Sequence, residues 1–234
     1  MIISTQVMTG KDDLMPSSFD KVSNNIIYKF GLKITDYMTL SLLWLLLSLP
    51  VVTSQTASAA VYYASYKKFY KHSDDVTANF FKAFKGNIRN GLIISLIYII
   101  YSAIATANIL FGYYGYGNIK LPDFYFPLSF IGLIPIVFTL PFVFPYLARF
   151  DDPVKTTLKH GFIFCMMNFS ETMKLWLIKT GFIVLTLVFP PAVLLTPAVY
   201  IRIVLHYTEP CFRNAMKTIA ARDKEVPEEV DGDE

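Results

Sequence analysis

Residues 40–70, LSLLWLLLSLPVVTSQTASAAVYYASYKKFY, constrain this chain more than any other stretch. A Leu-rich run, too apolar for the one-sided stripe of a surface helix, meets Pro50. It then passes a short polar knot and resumes as small residues ending in aromatics and lysines. No water reaches the backbone inside a bilayer, so each peptide group must bond within its own helix or to neighbouring protein. Both arms meet that demand as helices. The break at residues 50–56 leaves free carbonyls beside Thr53, Gln55 and Thr56, which together form the candidate binding site of the chain.

Composition extends this reading to the whole chain. Across 234 residues 54% are hydrophobic and only 17% are charged, against about 25% charged in soluble domains; the mean hydropathy is +0.44. The chain is thus greasier than an ordinary soluble domain, and one compact membrane domain is the expected class. Apolar segments fall at 37–50, 55–70, 90–112, 126–149, 174–190 and 191–208. The expected fold is all-α: a polytopic helical membrane protein with five to six membrane segments and amphipathic helices on its cytoplasmic face. At 1.5 Å per residue the two middle segments cover a hydrocarbon core of about 30 Å. Pro127, Pro135, Pro141 and Pro145 predict kinks in the fourth segment. The membrane domain is expected over 23–208. Residues 1–22 read as a leader lacking the basic start and unbroken apolar core of a cleavable signal. Residues 209–234 read as a cytoplasmic helix with an acidic, solvated tail.

Positive charge sets the expected orientation, because cytoplasmic loops retain Lys and Arg. If the segments pair as hairpins with both termini cytoplasmic, all of the 21 Lys and Arg residues except Lys120, Lys179 and Arg202 lie inside. The expected location is the cell membrane, multi-pass. Two stretches on the inner face, 75–90 and 153–174, are expected to lie in the headgroup plane. In the first, Phe80, Phe81 and Phe84 follow helical spacing, and Lys82, Lys85 and Arg89 form a basic set facing anionic lipid. Such helices either dock a cytoplasmic partner or fix the angle between spans.

Chemistry is sparse. His72, His160 and His206 are scattered, Cys165 and Cys211 share no ligand spacing, and no catalytic motif occurs. No catalytic residue, metal, cofactor or nucleic-acid partner is expected. Ion-coupled carriers usually hold acids or bases at membrane depth. Here the spans offer only Lys179 and Arg202 toward their inner ends and Asp36 at the start of the first.

The arm-turn-arm LSLLWLLLSLPVVTSQTASAAVYYASYKKF resembles the first span, Pro-Val-Val-Thr turn and small-residue helix of the YesL-like bacterial membrane proteins, a domain of unknown function. FFKAFKGNIRNGL is similar to that family's Phe- and Lys-rich entry to its next span. Pro50, Val51, Val52, Thr53 and Thr56 match the turn, while Ser54 and Gln55 stand where the family carries a Gly-containing step. The resemblance covers roughly residues 25–215, with its specific part in 40–92. It implies a cell-membrane protein that accompanies carbohydrate uptake systems, and it supplies no site residues. The expected function is therefore an accessory or regulatory partner of such a system. Its partners would be the lipid bilayer and either sugar-transporter permease subunits or a second copy of the chain. The alternatives are a small transporter or channel built on 40–70 and 126–149, and a membrane enzyme.

Overall fold

Pro50 lacks an amide hydrogen and disfavours helix in the residue before it, and the first helix ends accordingly. In the computed structural model, which describes residues 26–114 and 124–225, helix α1 (Ile26–Ser48) gives way to a 3₁₀ turn (Val51–Thr53) and α2 (Ser54–Lys71) returns alongside. The Thr53 hydroxyl donates to the Leu47 carbonyl and, at 2.7 Å, to that of Pro50, satisfying acceptors that a helix end leaves open. The indole of Trp44 donates to Ser58 Oγ at 3.0 Å, and Lys68 pairs with Asp36. Those two registers make α1 and α2 an antiparallel hairpin.

Small residues then make α2 the hub of the bundle. Ala57, Ala59, Ala60 and Ala64 are fully buried, and short side chains let neighbouring backbones approach closely. The closest approach involves α3 (Val76–Tyr114). A Cβ placed on Gly91 would overlap Thr56 Oγ1 and lie 3.0 Å from Thr56 Cβ and 3.1 Å from its Cα. Gly91→Val should therefore push the two helices apart and lower stability by about 1–3 kcal/mol. Gly86→Ala, whose added Cβ meets nothing within 4 Å, should instead raise it by up to about 1 kcal/mol through helix propensity. Thermal melts of the two variants in detergent check the contrast.

Helix α3 corrects one expectation. Its 39 residues run for about 58 Å at the usual rise, so 75–90 is the first part of a long helix and not a separate surface helix. No proline interrupts it, and the Asp75 carboxylate accepts the Ala78 amide at 2.8 Å as its N-terminal cap. Phe80 and Phe84 are buried in the protein core, where the sequence pattern had them facing lipid. Lys82, Lys85 and Arg89 are exposed.

Beyond the next described residue, Phe124, come α4 (Tyr125–Ser129), a 3₁₀ turn (Phe130–Leu133) and α5 (Ile134–Arg149), which holds Pro141 and Pro145. Tyr98 shares a 2.6 Å hydrogen bond with Thr139, and Asn90 Nδ2 donates to the Asp152 carbonyl at 3.3 Å, so α3 and α5 are antiparallel. Among the described residues Val76–Tyr114 and Tyr125–Arg149 are the two stretches long and apolar enough to cross a membrane.

Helix α6 (Val154–Met167) folds back onto α5; a Cβ on Gly161 would sit 2.5 Å from Val143 Cγ2. The single helix expected over 153–174 is thus divided at Asn168, which adopts φ −117°, ψ 48°. Its side chain donates to the Phe164 carbonyl at 3.0 Å, a local bond that competes with continued helix. Helix α7 (Phe169–Val188) begins there and ends before Pro190 and Pro191, which open a 3₁₀ turn (Pro190–Leu194). Helix α8 (Thr196–Glu225) closes the described chain and runs unbroken through 208 and 209, the expected domain boundary. The leader 1–22 and residues 226–234 of the acidic tail lie outside the described residues.

These registers sort the charges. Lys67, Lys68 and Lys71 end α2, Lys82, Lys85 and Arg89 belong to the start of α3, and Arg149 ends α5. Lys174 reaches the ring of Tyr207 and Arg213 that of Tyr70, so α7 and α8 bring their cations to the same end. Among the described residues the turn Pro50–Thr53, the later part of α3 (residues 92–114) and Val188–Leu194, all away from that end, carry no Lys or Arg.

Candidate functional site

A cavity of about 340 Å³ opens among α1, α2, α5, α7 and α8, within the range of about 300–1,000 Å³ usual for small-molecule sites. Its walls are mostly apolar, with Trp44, Phe144 and Phe182 among them, and its polar groups are few: Gln55, Ser58, Lys179, Thr186, Thr196 and the hydroxyl of Tyr200. Several are occupied within the protein. Ser58 accepts from Trp44 at 3.0 Å and donates to the Ser54 carbonyl at 2.8 Å. Thr186 donates to the Phe182 carbonyl at 2.8 Å and lies 3.2 Å from Thr196 Oγ1. Two others stand out. Gln55 Oε1 is buried and accepts no hydrogen bond. Lys179 has the ring of Trp176 at 4.7 Å as its neighbour, and its ammonium meets no carboxylate among the described residues.

The structure separates the three residues of the polar knot. Thr53 is used by its own turn. Thr56 is fully buried against α3, its hydroxyl unpartnered beneath Gly91. Gln55 alone lines the cavity. None of Lys82, Lys85 and Arg89 lines it; Lys82 borders a separate, more polar hollow with Tyr63, Asn87, Arg149 and Asp151. Lys179 stood out in the sequence only as a cation near an inner helix end. Its place on the cavity wall follows from the pairing of α7 with α8, which no local pattern encodes.

Sequence reasoning missed Glu209. This carboxylate is fully buried at the basic end of the bundle, with Arg149 Nε 2.8 Å from Oε1 and Arg213 Nε 3.7 Å from Oε2. The Tyr62 hydroxyl donates to Oε1 at 3.1 Å and shares a 2.8 Å hydrogen bond with Thr208. The Arg149 guanidinium lies 4.2 Å from the Tyr66 ring centre and that of Arg213 4.5 Å from Tyr70. Burying a charge is tolerable only with such partners, so Glu209 clamps α2, α5 and α8 together. The usable signal was an acid set among Tyr207, Cys211 and Phe212 with Arg213 one turn later.

A second polar group closes the α5–α6 turn. The Tyr146 hydroxyl lies 2.5 Å from Asp152 Oδ2 and 2.6 Å from His160 Nδ1. A phenol has one proton; if it goes to the carboxylate, His160 must present Nδ1–H. The two cysteines are free thiols. Burial pushes Cys165 up to about 12 and raises Cys211 as well, so neither is a thiolate nucleophile at neutral pH.

Residues 37–109 match a family described as "Protein of unknown function, DUF624". That segment runs from α1 through the turn and α2 into most of α3, so it holds Gln55 and Gly91 but not Lys179 or Glu209. No curated protein and no solved structure gives a match.

Proposed function

We propose that this chain is a multi-pass cell-membrane protein of five to six segments, both termini cytoplasmic, acting as an accessory or regulatory partner of a carbohydrate uptake system. The observation that carries the reading is the disposal of charge. The acids that reach into the bundle, Asp36 and Glu209, are each held by a cation of a neighbouring helix. They fix helices together at one end, Glu171 is paired with Lys174 on its own helix, and among the described residues of the proposed spans no carboxylate stands without a cation to take up and release a coupling ion, as an energised carrier requires. The gathering of cations at that same end supports its assignment to the cytoplasm. The carbohydrate link is supported by the resemblance of residues 40–92 alone. Mild detergent extraction after crosslinking tests the role. Recovery together with permease subunits is expected, and recovery alone or only as a self-oligomer would overturn it.

The cavity favours a second reading, a small transporter. Purified protein that moves a sugar across liposomes unaided would establish it, and Gln55→Leu should then reduce that flux.

A further inference from the structure

The cavity and two of its unanswered polar groups lead past the accessory role. We propose that it holds the head of an anionic membrane lipid that also bears hydroxyl groups, as phosphatidylglycerol does. Three observations converge. The ammonium of Lys179 stands at a mostly apolar wall with an aromatic ring and no carboxylate beside it, which calls for an anion. Gln55 Oε1, on the same cavity, is a buried acceptor without a donor, a need that a head-group hydroxyl meets. On the rim, Ile183 and Leu187 are exposed, Leu187 at 75%, and both line the cavity. They leave a sideways exit through which acyl chains can run into the bilayer. A zwitterionic ethanolamine head can donate to Gln55 through its ammonium, but that ammonium also stands against Lys179 and cancels the charge of its phosphate, so it fits less well. A free sugar satisfies Gln55 but leaves Lys179 without a counter-charge.

This inference rests on membrane placement and not on the accessory role, and its test needs only the purified chain. The two tryptophans are Trp44, on the cavity wall, and Trp176, beside Lys179. Chain-brominated lipids quench nearby indoles, so the full chain would be reconstituted in phosphatidylethanolamine bilayers containing rising fractions of brominated phosphatidylglycerol. Quenching should saturate at a fraction about tenfold lower than with brominated phosphatidylethanolamine, the ratio that one charge-assisted hydrogen bond supplies. Lys179→Gln should abolish most of that preference, and Gln55→Leu should weaken binding of the lipid. Lys179→Arg should keep it, as should Lys174→Gln at an exposed position already paired with Glu171. Identical curves for the two lipids would overturn the proposal, as would a preference that survives Lys179→Gln in a protein with an unchanged melt. Soluble glycerophosphoglycerol that competes as strongly as the whole lipid would overturn it too, since the site would then take a free polar solute.

Discussion

Glu209→Leu should cost the folded protein about 3–5 kcal/mol, the usual penalty for stranding one member of a buried ion pair. The side chain of Glu209 is 1% exposed and that of Arg149 20%, so Arg149 would lose its counter-ion with little water to replace it. The loss should not equal the worth of the pair. Arg149 Nε approaches Glu209 closely without the alignment of a hydrogen bond, and Glu209 Oε2 lacks one as well; much of the mutual attraction therefore offsets the cost of desolvation. Glu209→Leu with Arg149→Met should accordingly recover most of the lost stability. Arg213→Ala should shift it by no more than about 1 kcal/mol, because that side chain is nearly half exposed. Denaturation in a fixed detergent across the single and double variants decides the matter. A double variant as unstable as Glu209→Leu would show that the carboxylate works through Tyr62 and Thr208 and not through Arg149.

The hairpin that starts the bundle was legible because its causes are local: Pro50 stops a helix, a threonine closes the turn, and a run of small residues permits close packing. The helical class followed from composition for a similar reason. What escaped were features set by partners distant in sequence. Phe80 and Phe84 show the right period for an amphipathic surface helix, and that period is identical whether the stripe meets lipid or protein. The structure gives it protein. Glu209 looked like the first residue outside the membrane because the last apolar segment ends at 208. Tyr62 and Arg149, 147 and 60 residues earlier, turn it into a clamp. The same limit applied to Gln55, Thr53 and Thr56. Their clustering was visible, but only the packing of α7 and α8 gives one of them a cavity and the other two a structural task.

Ile104→Arg should strongly deplete the protein from carbonate-washed membranes. Ile104 lies in the apolar half of α3 and is 64% exposed, on a helix whose most apolar stretch is only 17% buried. If that face meets hydrocarbon, an arginine there costs about 2.5–3.5 kcal/mol on insertion scales, a tenfold or greater loss of inserted protein. Were the same face in water, the substitution would be close to neutral and would improve solubility. The sign of the effect therefore separates a membrane span from the long helix of a soluble bundle, a distinction that length and hydropathy alone do not make. Ile104→Leu keeps the apolar surface and should insert as the parent does. Lys85→Gln, at the exposed basic end of the same helix, should leave the inserted fraction unchanged. A depletion by Lys85→Gln equal to that by Ile104→Arg would point to general misfolding of α3, and an Ile104→Arg protein found intact in washed membranes would remove the lipid-facing surface on which the orientation and the lipid site both depend.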